Sequence, residues 1–212
     1  MPPAPKTGQR RRRLTPEARR ALIDQAAAEV FAKRGYEGAT LDEIARTAGV
    51  VASVIYNHYP SKEALYLELL ERHSRVLRER TIDARRGADM RTELRRRIDD
   101  FFSTIEEDVF LWRTMFRDPP LNPGIAAAHA RLQARASAEI TGALENGALG
   151  GRADPDLPSM VAETVKAGLN GLANWWWDHR EVERAAVVET ATALLWDGIS
   201  GMADSLGDGD AH

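Results

Sequence analysis

Cysteine is absent from the 212 residues. That excludes a disulfide framework, a thiol nucleophile and any Cys-ligated zinc or iron–sulfur site. No apolar run approaches the roughly 18–20 residues a membrane span needs. The N-terminal stretch MPPAPKTGQRRRRL has no apolar segment behind its basic residues, unlike a secretory signal. These absences predict a soluble, cytoplasmic protein that avoids membranes. Lysine is scarce as well, 4 residues against 25 arginines. Such a bias is typical of GC-rich coding, so only the positions of the arginines carry information. Strand signals are missing too, there being no alternating β-branched runs joined by tight turns.

What remains is globular in composition, 43% hydrophobic and 29% charged, with room for one domain or two smaller ones. The net charge of −3 conceals a division. Residues 1–80 hold 15 Lys and Arg against 10 Asp and Glu, whereas residues 81–212 hold 14 against 22. A basic first part facing an acidic remainder points the former toward a polyanion.

Nearly all of the chain reads as helix. Residues 1–14, rich in Pro and Arg, form a basic arm. Thr15-Pro16-Glu17 supplies an N-cap, a first-turn proline and an early acid, and Gly35 ends the first helix. Thr40-Leu41-Asp42-Glu43 is a capping box that opens a short helix ending at Gly49. A third helix is predicted over 52–58. Pro60 stops it, and Ser61 caps a long fourth helix reaching the mid-80s. Five further helices come after it, and the tail after residue 204 should fray. The fold class is therefore all-α. The expected division is 1–14 arm, 15–60 first domain, 61–87 connecting helix, 88–204 second domain and 205–212 tail.

Residues 40–59, TLDEIARTAGVVASVIYNHY, carry the functional signal. Ala45 is small enough for two helices to cross closely there. Gly49, four residues on, tolerates a positive φ in the turn. Ile44, Val50 and Ile55 supply the apolar contacts around them. This is helix-turn-helix spacing, and the second helix of such a unit fits the DNA major groove.

The stretch resembles the N-terminal domain of the TetR family of bacterial repressors, whose pattern is close to T-x-x-x-I-A-x-x-A-G-V-S-x-x-x-L-Y-x-H-F-x-S-K-E-x-L. Thr40, Ile44, Ala45, Ala48, Gly49, Val50, Ile55, Tyr56, His58, Tyr59, Ser61, Lys62, Glu63 and Leu65 fit it or substitute conservatively. The likeness covers about residues 15–72. It implies that Thr40, Tyr56, His58 and Lys62 meet operator phosphates or pack at that surface. Their donor groups suit phosphate, and Lys62 lies in the first turn of a helix whose amides also face an anion. A core role for Tyr56 and a helix-capping role for His58 stay open. One departure is evident: Val51 stands where the family has Ser, followed by Ala52, Ser53 and Val54. No Arg, Gln or Asn lies among 51–55 to bond a base edge in bidentate fashion. Thymine-methyl contacts from Val51 and Ala52, a hydroxyl from Ser53 and an amide from Asn57 are what is left. Arg11, Arg12 and Arg13, with Arg10, either enter a flanking minor groove or form a solvated tail.

The resemblance further implies a second domain with a small-molecule cavity and a homodimer built on the last two helices. Phe101, Phe102, Ile105, Trp112, Met115, Phe116, Trp175 and Trp176 are the candidate ligand-binding residues, although an aromatic stripe also serves as plain core. Val188, Leu195, Ile199 and Met202 are the candidate dimer contacts, with burial inside the subunit as the alternative. Consecutive Trp175, Trp176 and Trp177 are turned by about 100° each and must point in different directions. Catalysis has little support. Asp99-Asp100-Phe101-Phe102 lacks the third acid of a DDxxD magnesium motif, the five histidines lack HExxH spacing, and there is no P-loop or GxGxxG. No metal or cofactor is expected. The combined expectation is a repressor that binds a palindromic double-stranded operator as a dimer and is released by an apolar or aromatic effector. The alternatives are a helical ligand-binding or interaction module without DNA binding, or a helical-bundle enzyme.

Overall fold

The structure, a computed structural model, describes residues 15–82, 89–118, 121–150 and 154–205. Every regular element among them is helical: α1 (Pro16–Gly38), α2 (Leu41–Ala48), α3 (Ala52–Tyr56), α4 (Lys62–Ile82), α5 (Met90–Glu107), α6 (Val109–Trp112), α7 (Pro123–Glu145), α8 (Leu157–Trp177) and α9 (Arg184–Ser205). A π-helical turn, Arg113–Arg117, comes directly after α6. The predicted caps are in place. Thr15 accepts from the Ala18 N–H (3.2 Å), Thr40 from Glu43 (3.1 Å) and Ser61 from Ala64 (3.0 Å). Gly35 breaks the helical path of α1 at φ 69°, a conformation that disfavours a Cβ, although hydrogen-bonded turns continue to Gly38. The third helix is shorter than expected and stops at Tyr56.

Apolar spacing sets three clusters. In the first, Ile23, Ala27 and Phe31 of α1 meet Ile44, Ile55 and Tyr59, and α4 closes it with Leu65, Leu69 and Leu70. The expected boundary at residue 60 is therefore no gap in packing. The later helices also enter this core through Phe110 and Ile125, both buried, and Tyr66 sets its ring edge against Phe31 (5.0 Å) and Phe110 (5.6 Å). Truncating a ring as buried as Phe110 typically costs about 3–5 kcal/mol, so the first domain depends on the second for part of its stability.

The second cluster joins α5, α6, α8 and the start of α9 around Phe102, Ile105, Trp112, Trp176 and Val188. The third joins α7, α8 and the end of α9 around Leu144, Val161, Val165 and Ile199. The three consecutive tryptophans do diverge. Trp176 is buried, its ring edge-on to Phe102, and its indole N–H donates to the Val182 carbonyl (2.8 Å). Trp177 stacks on Trp112 at 3.7 Å, and Trp175 faces outward, stacked on His179 at 4.3 Å.

Candidate DNA-reading surface and effector cavity

The helix-turn-helix takes its shape from three small or apolar residues. Ala45, 4% exposed, lies where α2 meets α3. Gly49 caps α2 in the left-handed conformation at φ 67°, and the Val50 N–H closes back on the Ala45 carbonyl (2.9 Å). Ile55, fully buried, pins α3 to the core. The surface that α3 leaves outside is apolar or neutral. Val51 is 66% and Tyr56 57% exposed, Ser53 and Asn57 are exposed, and Ala52 is half-buried against the core. Thr40 stays exposed while capping α2, and His58 is half-buried with its ring 6.5 Å from that of Tyr59. Arg11, Arg12 and Arg13 lie outside the described residues.

Lys62 takes a different task from the expected phosphate contact. Its ammonium donates to the carbonyls of Tyr36 (2.8 Å) and Ala39 (3.0 Å) and sits 4.3 Å from the centre of the Tyr36 ring. The ammonium, on a half-buried side chain, joins the start of α4 to the end of α1. Sequence reasoning could not see this, because the carbonyls are more than twenty residues away. It also missed Arg46. Among the described residues up to 82, Arg46 is the one Lys or Arg without an internal hydrogen bond or ion pair, and it is exposed in the last turn of α2 beside the turn into α3. A second clamp fixes α1 on α4. The Tyr59 hydroxyl donates to buried Asp24, whose other carboxylate oxygen accepts from Arg72, and Arg20 donates to the Tyr59 oxygen (3.1 Å). Burial, reinforced by Asp24, pushes the Tyr59 hydroxyl up to about 12, so it stays a donor at neutral pH.

An internal cavity of about 370 Å³ opens between α4, α5, α7, α8 and α9, within the size range of small-molecule sites. Leu77, Leu94, Ile98, Leu132, Ile140 and Leu169 give it an apolar wall, and Arg78, Arg97, Arg135 and Lys166 stand among cationic groups on its lining. Glu93 also lines it, and the Arg96 and Arg97 guanidiniums hold its carboxyl down at about 2. Of the candidate ligand residues, Phe101, Met115 and Phe116 reach this cavity. Phe102, Ile105, Trp112 and Trp176 instead fill the second cluster, and Trp175 points out of the fold. Helical spacing marks an apolar face but not the hole beside it, and these five lie outside the cavity lining. The α4 and α7 sides of the cavity carried no signal in the sequence. A shallower cleft of about 540 Å³ lies between α1, α4, α5 and α6, open to solvent.

The candidate dimer residues are also placed inward. Val188 is 1% exposed within the second cluster, Ile199 lines the cavity, and Leu195 and Met202 pack on the inner clusters. This stripe of α9 is covered by α5 and α8 of the same subunit, the alternative to an interface. The outward stripe is another one. Leu194 on α9 is 72% exposed, and α8 presents Met160, Thr164, Ala167, Gly168, Gly171 and Trp175, all exposed and none charged.

Together these features define a helix-turn-helix DNA-binding protein with a second, cavity-bearing helical domain. Residues 23–69 match the family described as bacterial regulatory proteins, tetR family. The chain is 33% identical over 203 residues to the HTH-type transcriptional activator FasR of Mycolicibacterium smegmatis, spanning 92% of this chain and 90% of that one. It therefore belongs to the TetR family, whose members are DNA-binding regulators of transcription and not enzymes. Solved structures share the fold. A TetR-like regulator from Rhodococcus sp. RHA1 superposes with a TM-score of 0.74 at 22% identity, covering 89% of this chain and 100% of that one. FadR from Bacillus subtilis, solved in complex with stearoyl-CoA, gives 0.70 at 21% identity over 82% of this chain and 96% of that one.

Proposed function

We propose that this regulator works in the cytoplasm as a homodimer on a palindromic operator and that an apolar effector, entering the second domain, releases it from DNA. The observation that carries the reading is the cavity itself: α4, which forms one of its walls, is continuous with the core of the DNA-reading unit. A ligand there touches the element that holds the reading head of its own subunit. Operator reading by two such heads requires spacing of about 34–36 Å, which a small movement of α4 alters. The stearoyl-CoA complex of FadR favours a long-chain amphiphile over a compact aromatic compound. The apolar wall with arginines beside it suits that class.

The dimer reading moves to the outward stripes of α8 and α9. An exposed face carrying Trp175, Met160 and Leu194, with Glu163 and Asp197 at its edge, is the kind of patch that a partner covers. On α3, Val51, Ala52, Ser53, Tyr56 and Asn57 remain the proposed reading residues, with Thr40, His58 and Arg46 toward phosphate and the 10–13 arm in the minor groove. The expectation of repression stands beside a full-length relative named as an activator. In either case, the sign of control depends on where the operator lies relative to the promoter. The test is fluorescence anisotropy with DNA from upstream of the chain's own gene, titrated with stearoyl-CoA and with benzoate. Release by stearoyl-CoA supports the reading. A protein that binds no such DNA, or binds it and is unmoved by either compound, refutes it.

A further inference from the structure

In the π-helical turn Arg113–Arg117, the Asp118 N–H donates to the Arg113 carbonyl five residues back (2.7 Å). Such turns have poorer geometry than an α-helix and recur at functional sites. Here consecutive side chains face two different parts of the molecule. Met115 and Phe116 line the cavity. The Phe116 carbonyl accepts from the Asn174 amide of α8 (3.0 Å), and the buried Asn174 side-chain oxygen has no partner among the described residues. On the other side, Arg113 donates to the carbonyls of Ala32 (2.8 Å) and Lys33 (3.2 Å) in α1, just ahead of the Gly35 kink. Its Nε holds Asp118 at 2.8 Å. Thr114, 5% exposed, meets the Tyr66 hydroxyl at the edge of the first core. Met115 packs against that core as well.

We propose that Arg113–Arg117 is the element that carries cavity occupancy to the DNA-reading unit, with Arg113 as its grip on α1. The proposal rests on the reading of the cavity as an effector site. A ligand pressing on Met115 and Phe116 favours rewinding of the turn into α-helical register. Losing the extra residue rotates the chain beyond the turn by about 100° and shifts it by about 1.5 Å along the axis. Asn174 and Asp178 hold the far end of the turn at α8, so the step falls back on Arg113, and either its two bonds to α1 break or α1 moves too. Because α1 shares its core and the Lys62 and Asp24 clamps with α2, α3 and α4, the reading head moves with it. The route along α4 alone is the alternative. It leaves Arg113 without a part in release.

The experiment uses the full chain. Operator affinity is read by anisotropy with and without stearoyl-CoA, and stearoyl-CoA affinity is read separately by calorimetry. In the unaltered protein the ligand is expected to weaken operator binding by about tenfold or more. In Arg113→Gln the ligand affinity should stay within about twofold while release falls below about threefold. Arg113→Lys, which keeps the charge but loses the fork that reaches α1 and Asp118 at once, provides a second variant if glutamine impairs folding, and should also lower release. A ligand-free arm separates this proposal from the effector class. Ala136→Phe, a substitution on the cavity lining, should weaken operator binding in the parent chain but not in the Arg113→Gln background, a non-additive cycle. If stearoyl-CoA binds neither protein, the amphiphile reading fails and the cycle alone decides the coupling. Full release in Arg113→Gln with unchanged ligand affinity, or an additive cycle, overturns the proposal.

Discussion

On the proposed reading, Lys62 is a structural cation and Arg46 a DNA-facing one, and replacing each should give opposite signatures. Lys62→Met keeps the aliphatic stem but removes an ammonium that makes two bonds, of 2.8 and 3.0 Å, and lies over the Tyr36 ring. Bonds to a charged donor contribute about 1.5–3 kcal/mol each, and an exposed cation–π contact about 0.5–1 kcal/mol. These contributions do not add fully, because one ammonium serves all three partners. The expected loss is about 2–4 kcal/mol, which for a protein of this size lowers the midpoint of thermal unfolding by about 5–15 °C. The salt dependence of operator binding should stay as it was, since no phosphate contact has been removed. Arg46→Ala should do the reverse. Arg46 is exposed and has no partner among the described residues, so stability stays within about 0.5 kcal/mol. The slope of log affinity against log salt drops by about one unit. Differential scanning fluorimetry and anisotropy titrations at several salt concentrations measure both. A Lys62→Met protein that melts like the parent but loses one unit of salt slope refutes the assignment.

Three further outcomes rest on the same contacts. Leu194→Asp places a carboxylate on the outward face of α9 without disturbing the inner clusters, and sedimentation should find a folded monomer that no longer holds a palindromic operator; a tight dimer would move the interface elsewhere. Replacing thymidine by deoxyuridine in each half-site removes only the methyl groups that exposed Val51 and neighbouring Ala52 are proposed to touch, and should weaken binding at least about threefold; equal affinity would leave Asn57 as the reading residue. Glu93, whose carboxyl the Arg96 and Arg97 guanidiniums hold at about 2, has its folded value below its unfolded one. Its stabilising contribution is therefore complete above about pH 4.5 and is lost as pH falls toward 2. After allowance for solvent screening it amounts to about 1–2 kcal/mol, so Glu93→Gln should flatten the acid limb of stability measured by urea unfolding, and an unchanged limb would refute it.

The local design of the first domain was legible in the chain. Thr15, Thr40 and Ser61 accept the very N–H groups their spacing assigns, and Gly35 and Gly49 take up the positive φ that only glycine adopts without strain. These are short-range effects of backbone sterics and capping, acting within four residues. The pattern of small and apolar residues from 40 to 65 was legible for the same reason, since the turn is shaped by residues close to one another along the chain. The stripes of α5 and α9 were legible as stripes only. Period 3.6 shows that Val188 and Ile199 share a buried side, but an α5 ring, a cavity or a second subunit can bury them equally well.

Tertiary structure decided the rest. It turned Lys62 inward, because the Tyr36 and Ala39 carbonyls converge at the start of α4. It sent Trp176 into the core and Trp175 outward, although the two are adjacent. It gathered a cavity wall from α4 and α7, where no sequence pattern announced one. It also set Arg113 against α1, some eighty residues away. By itself the sequence determined where helices begin, where they end and that residues 40–65 form a reading unit, because those depend on neighbours along the chain. Which face meets which, and where space is left between them, depends on neighbours in space, and only the folded packing supplies those.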